Sequence, residues 1–497
     1  MTSHVLATPR VERWRFSETL LILAVWGLVA AFLMVQYLPV LIANGPTDPT
    51  SQLRLVEVRE VMAGQAWSNL HQIRIPEADG VFSQGSGLVD FPIAALIRVG
   101  NAFASPQTAE LFAITAWPLM LFLVLLLAIT SVTRRIVGPD AQFSAVAFVI
   151  FAAPATTLFL PGHIADDNAA ITLFAVLLAL GVRIEQGEVI GVLAGVAAAC
   201  LLAVSIDTLP LVAMTTTGFA LTWAFAPKGS RAGLNGFGLF FATGMITQRG
   251  FSAAPSEWLA TTCTIASAPY VVAAAITGFG LSAIARINPT SVSLRLGAVA
   301  IIGVAAAAGM VLVNPQCLGA PSTEFNTPAL PVWLDASGSS QSLAQLAEKA
   351  PWQLLALYFA PFVALIPTSW AFAMSARTER AGWGLTLILL MTSLVVAMWQ
   401  TRGAAAASLL IVPALAYAVS EVRNWAARRS RLAMTLALAL VYTVPNQALN
   451  AIVATTLERL FPVNQRGSVP EPAVTGSVRS DDKEPFDLSS LRGTLDH

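Results

Sequence analysis

The 497 residues are 56% hydrophobic and only 11% charged, with a mean hydropathy of +0.69. A soluble core has no use for that much apolar surface, and 28 basic against 28 acidic residues leave no net charge to draw the chain to nucleic acid. The expectation is an all-α, polytopic integral membrane protein with no nucleic-acid partner and with membrane lipids around it.

Arg10, Arg13 and Arg15 precede an apolar run over 19–43. At roughly 25 residues it exceeds the ~7–15 of a secretory signal core, so it is expected to be an uncleaved first span with residues 1–18 cytoplasmic. Further apolar runs cover about 108–132, 142–160, 168–182, 189–206, 209–226, 233–247, 269–285, 296–313, 351–376, 383–399, 404–422 and 432–455, roughly thirteen in all by the length a bilayer requires. The stretch 90–103 is apolar but short and reads as a re-entrant or interfacial helix. Residues 19–455 thus form the membrane domain, and 456–497, rich in Pro, Ser and charge, read as a disordered extracytoplasmic tail.

Basic residues orient the chain. Counting from the N-terminal arginines, alternate loops carry Arg134 and Arg135, Arg183, Lys228 and Arg231, Arg286 and Arg295, Arg377 and Arg380, then Arg423, Arg428, Arg429 and Arg431. The positive-inside bias puts all of these in the cytoplasm. Asp48, Asp166, Asp167, Asp207, Cys263, Cys317 and Arg402 then lie outside. Two outer loops are long, 44–107 and 314–350. In the first, Leu55, Val58 and Met62 recur at helical spacing, which predicts an amphipathic helix along the membrane surface ended by Gly64.

Carboxylates near a bilayer are costly unless they face water, a partner or a metal, which singles out Asp48 and the run Asp166-Asp167-Asn168 as candidate functional groups on one outer face. Their ordinary roles are an Asp-Pro turn opening a loop and an acidic pair complementing a helix N-terminus. A lone loop histidine such as His163 ordinarily serves as a hydrogen-bonding residue, and Asp207 as an acid starting a helix. Arg402 sits outside against the positive-inside trend, which raises its interest. Cys200 reads as a small buried hydrophobe. Cys263 and Cys317 fall in successive outer loops where an oxidising compartment permits a disulfide between them.

The loop residues carry a resemblance. Asp48-Pro49-Thr50-Ser51-Gln52-Leu53-Arg54-Leu55, with Val58-Arg59-Glu60 and Gly64-Gln65-Ala66-Trp67, is similar to the pattern D-P-D-S-Y-M-R-L-x-x-V-R-D-x-x-x-G-Q-x-W. Gln84-Gly85-Ser86-Gly87-Leu88-Val89-Asp90-Phe91-Pro92-Ile93-Ala94 is similar to H-W-S-R-L-V-D-x-P-I-A, and Pro161-Gly162-His163-Ile164-Ala165-Asp166-Asp167-Asn168 to P-G-R-I-D-H-H-N. Matches continue at Trp258, Cys263, Pro315-Gln316-Cys317-Leu318 and Trp399-Gln400-Thr401-Arg402. In these residues the chain resembles the GT-C superfamily of membrane glycosyltransferases, and within it a divergent bacterial group related to the oligosaccharyltransferase catalytic subunit. It departs at Thr50 (an acid in the pattern), Gln84 (His), Gly87 (Arg) and Ala165-Asp166-Asp167 (Asp-His-His).

The resemblance implies a GT-C-like bundle in a bacterial inner membrane, N-terminus cytoplasmic and C-terminus outside. It implies inverting transfer of a sugar from a polyprenyl-phosphate-linked donor to an acceptor whose identity it leaves open. Asp48 is the expected base. Asp48, Asp166 and Asp167 are the expected holders of a divalent cation, Mg or Mn, and Arg54, His163, Asn168 and Arg402 the expected contacts to substrate or phosphate. The alternative is a non-catalytic GT-C-fold protein that binds a lipid carrier or supports a membrane complex. Convergence of the acids on one cation favours the enzyme; separation favours the alternative. A transporter is the weaker third reading, because the spans carry no paired acids and bases.

Overall fold

The computed structural model describes residues 16–46, 48–65, 71–72, 81–82, 87–263, 266–318, 341–426 and 431–461. The N-terminal arginines, Ala66-Trp67, Gln84 and the expected tail beyond Phe461 lie outside them.

The described chain is helical, apart from a two-residue antiparallel pairing of β1 (His71–Gln72) with β2 (Val81–Phe82). In order run α1 (Phe16–Asn44), α2 (Pro49–Met62), α3 (Gly87–Asn101), α4 (Pro106–Ile136), α5 (Gln142–Ile150), α6 (Ala153–Thr156), α7 (Asp166–Gly181), α8 (Glu188–Val204), α9 (Leu209–Phe225), α10 (Pro227–Ser252), α11 (Ala268–Ile287) and α12 (Val292–Val313). After them come α13 (Leu343–Lys349), α14 (Ala360–Met374), α15 (Arg377–Trp399), α16 (Gly403–Ala426), α17 (Arg431–Thr443) and α18 (Gln447–Leu460). Every apolar run found in the sequence is helix. Among the described residues, eight helices are long and apolar enough to cross a membrane, and up to 10 if each bent pair is one span. The molecule is a multi-pass membrane protein. The rest of the expected thirteen are α7, α8 and α10, which are shorter or more polar.

The two bent pairs are breaks that hydropathy alone does not reveal. The helical segment through α5 turns by 65° into Ala153–Phe159, and α17 turns by 68° into α18. Pro154 and Pro445 sit at the breaks, where a missing N–H and a fixed φ stop a helix from continuing. The breaks meet: Ala448 N–H donates to the Phe151 carbonyl at 3.2 Å, and the Ser144 and Tyr442 hydroxyls lie 2.7 Å apart. Backbone groups released by each break therefore find partners inside the protein, as an apolar surrounding demands.

α16 is central. The most apolar stretch of Gly403–Trp425 is 83% buried, against 11% for Glu18–Asn44 and Val292–Val313, which lie at the exposed edge of the bundle. Small residues set the closest helix approaches: a Cβ at Gly191 on α8 would lie 2.0 Å from the Gly233 carbonyl oxygen on α10. Nothing larger than hydrogen fits there, which is how membrane helices reach van der Waals contact. At the basic end, the Arg183 guanidinium donates to the Ala179 and Ser131 carbonyls, and Arg231 to those of Ala285 and Arg286. Several arginines of the positive-inside pattern thus also satisfy carbonyls near helix ends.

Candidate functional site around Asp48, Arg54 and His163

The site begins at the first residue of an N-terminal cap. Asp48 has extended backbone (φ −84°, ψ 128°) and accepts the Ser51 N–H at 2.8 Å, with Pro49 in the first turn of α2. The Thr50 hydroxyl lies 2.7 Å from each Asp48 oxygen. Burial alone would raise the Asp48 pKa, but the hydrogen bonds from Ser51 and Thr50 and the nearby His163 outweigh it and hold the carboxyl below its ordinary 3.8. Asp48 is therefore a helix cap, where its Asp-Pro context suggested a turn opening a loop, and an ionised carboxylate, its side chain still 32% exposed.

α2 buries Ser51, Arg54, Leu55 and Val58, one face at helical spacing, with Glu57 also buried beside it. The apolar pattern Leu55, Val58 and Met62 located that face; Arg54 lies on it, and this is the signal for what the sequence reading missed. Arg54 Nη1 is 2.7 Å from Asp90 Oδ1 on α3, and Nη2 is 2.6 Å from Asp166 Oδ1 at the start of α7. One guanidinium ties together three helices. Burial would lower the Arg54 pKa, but Asp166, Asp90 and Glu57 raise it further, so it stays charged. Asp90 moves up because burial outweighs Arg54. Asp90, an acid in the first turn of an apolar helix, is a site residue that sequence reasoning did not select.

The loop ahead of α7 is held from several sides. Pro118 within α4 has no N–H to offer the Ile114 carbonyl four residues back, and Gly162 N–H takes that place at 3.0 Å. Gly162 has φ +90°, and a Cβ there would meet Leu41 at 2.6 Å, so glycine is required. Ile164 N–H donates to Ser51 Oγ at 2.9 Å, and Asn168 Nδ2 to the His163 carbonyl at 2.7 Å. These contacts present His163 between two acids: Nε2 is 2.8 Å from Asp167 Oδ1 and Nδ1 is 3.8 Å from Asp48 Oδ2. Burial pulls the His163 pKa down, but the hydrogen bond and charge of Asp167 and the charge of Asp48 outweigh it, lifting it above 6.5.

Asp48, Arg54, His163, Asp166, Asp167 and Asn168 thus come together, but not around one cation, and Arg402 is held elsewhere, by Asp207. Asp166 goes to Arg54, while Asp48 and Asp167 flank His163. Among the described residues no three His, Cys, Asp or Glu side chains form a metal-ligand group, so Asp48, Asp166 and Asp167 do not fit the shared divalent-ion site expected of them. The physical reason is that two basic side chains already lie between these carboxylates. Arg54 is 4% exposed in its side chain and buried in ion pairs, which takes it away from a phosphate-contacting role. Asn168 is buried and holds the loop. Arg402 pairs with Asp207 at 2.6 Å. Cys263 and Cys317 are joined, their Cα atoms 5.0 Å apart, and Asn314 Nδ2 donates to the Thr261 carbonyl alongside.

No family model matches the chain, and no curated protein matches it in sequence. Solved structures do match in fold. The apo oligosaccharyltransferase of Archaeoglobus fulgidus aligns at a TM-score of 0.56 and 12% identity over 87% of this chain and 56% of that one. AglB of the same organism, in complex with an inhibitory peptide and a dolichol-phosphate, gives 0.60 at 12% over 89% and 56%. The A. fulgidus enzyme tethered to an acceptor peptide containing the NVT sequon gives 0.58 at 13% over 88% and 55%. This chain spans a little over half the length of those proteins. The likeness is one of fold: an all-α polytopic bundle of the GT-C type.

Proposed function

We propose that the chain is a membrane glycosyltransferase of the divergent bacterial group it resembles, moving a sugar from a polyprenyl-phosphate-linked donor to an acceptor on the extracytoplasmic face of the inner membrane. The observation that carries this reading is Asp48: a carboxylate kept ionised by Ser51 and Thr50, still open to solvent, at the junction of the first loop with α7. An ionised, accessible carboxylate can take a proton from an acceptor as it attacks the anomeric carbon. His163 and Ser51 fix its surroundings, and Arg54 locks α2, α3 and α7 so that the carboxylate does not wander. Arg402, paired with Asp207 and with 46% of its side chain exposed, is the residue assigned to face the departing phosphate. No step is assigned to a metal.

The test is in vitro transfer from a polyprenyl-phosphate sugar. Asp48→Asn should lower turnover by about 10²–10⁴ with folding kept, because Asn caps a helix about as well as Asp. Equal turnover rejects Asp48 as the base. It would favour the second reading, a non-catalytic protein that binds a lipid carrier or supports a membrane complex, which the separation of the acids supports: Asp166 lies on Arg54 while Asp48 and Asp167 flank His163, so they do not converge on one cation. The orientation has its own check: cysteine labelling should find 44–107 and 314–350 outside, and either loop in the cytoplasm removes the proposed site from its acceptor.

A further inference from the structure

Five acids surround the site, Asp48, Glu57, Asp90, Asp166 and Asp167, with two basic side chains among them. Arg54 takes Asp90 and Asp166 at 2.7 and 2.6 Å. That leaves Asp48 and Asp167 as the pair open enough to share a ligand, with side chains 32% and 47% exposed. A hard divalent ion needs several oxygens at about 2.0–2.6 Å around one point. Between Asp48 and Asp167 the His163 ring stands at that point, 2.8 Å from one carboxylate and 3.8 Å from the other. The Asp48 oxygens are also occupied from their own helix, by the Thr50 hydroxyl and the Ser51 N–H. Thr50 supplies a proton where a second carboxylate would have supplied a charge needing a counter-ion.

The backbone that carries the ring is fixed. Its neighbours Gly162, Ile164 and the His163 carbonyl are bonded to Ile114, Ser51 and Asn168, on three separate elements. Withdrawing the imidazole to admit an ion would break its contact with Asp167.

We propose that His163 takes the place of a divalent ion at this site: it bridges Asp48 and Asp167 and positions Asp48, and the chain binds neither Mg2+ nor Mn2+ there. The positioning role rests on the reading of Asp48 as the reacting carboxylate, but metal binding can be measured with no donor or acceptor present.

The full chain in lipid nanodiscs is titrated with Mn2+, free ion being followed by electron paramagnetic resonance. The wild type should take up no stoichiometric Mn2+ below about 1 mM. His163→Asp, which puts a third carboxylate between Asp48 and Asp167, should bind Mn2+ at least about tenfold more tightly than the wild type. Stoichiometric uptake by the wild type below that concentration, abolished by Asp48→Asn, overturns the inference. If His163→Asp does not fold, the wild-type titration with its Asp48→Asn control decides alone. Where transfer is measured, it should be unchanged by EDTA; loss in EDTA overturns the inference and leaves the proposed function standing. A chain that binds no Mn2+ and transfers no sugar supports the metal-free assignment while counting against the proposed function.

Discussion

The Thr50 hydroxyl lies 2.7 Å from both carboxylate oxygens of Asp48. A hydroxyl two residues after an acid closes a small ring over the start of α2, and with the Ser51 N–H it makes the carboxylate a better acceptor when ionised than when protonated. Capping and acidity are therefore one property at this position, and they can be tested together.

Asp48→Ala should destabilise the chain at neutral pH by about 1 kcal/mol, the usual worth of an N-cap. The folded carboxyl lies below its ordinary 3.8, so its stabilisation is fully present above that value and is lost as pH falls through the folded one. The gap in unfolding temperature between wild type and variant should accordingly persist from pH 7 to 4 and close only in stronger acid. A gap that closes between pH 7 and 5 contradicts the assignment.

Removing Arg54 should do far more. Arg54→Met leaves Asp90, whose side chain is 7% exposed, buried without its cation, a loss of about 3–5 kcal/mol for a broken buried pair. Asp90→Leu added to it should recover a measurable part, since the stranded charge is then gone. Unfolding in mixed micelles provides the comparison; a double variant no more stable than Arg54→Met shows that Asp90 is not the group left unpaired.

His163 supplies the opposite pH signature. Its folded pKa is raised above 6.5, so its stabilisation is complete below 6.5 and disappears as pH rises through the folded value. Wild type should exceed His163→Gln by about 1 kcal/mol at pH 6, a modest figure because Asp167 is half exposed, and the two should converge in mild alkali. A difference that is constant from pH 6 to 9 means that the ring acts without its charge.

The Cys263 and Cys317 bond should appear as one linked peptide pair by mass spectrometry without reductant. Its reduction should lower stability by about 2–4 kcal/mol, since it closes a chain of 54 residues. Two free thiols after aerobic purification would show that the loops do not sit as described.

Composition and hydropathy were enough to establish a polytopic helical protein, because the need to satisfy every backbone group in an apolar medium leaves few other choices. Local rules also singled out Asp48 as an acid just past the first span, but they gave its Asp-Pro a turn; that it caps α2 is what the structure adds. The helix over Pro49–Met62, with Leu55 and Val58 on its buried face, was legible from their spacing. Ion pairing was not. Whether Asp166 meets a metal, Asp48 or Arg54 depends on the rotation of α2 about its axis and on where the Gly162 bond to the Ile114 carbonyl, left open by Pro118, places a loop more than 100 residues away. Those are properties of packed helices, and no window of sequence contains them. The breaks at Pro154 and Pro445 follow the same division: the prolines are visible, but only the packing of α5 and α6 against α17 and α18 decides that the released backbone groups find each other. The tertiary structure puts Asp166 beside Arg54, and Asp48 and Asp167 beside His163, because buried charges take whichever partner the fold brings within reach.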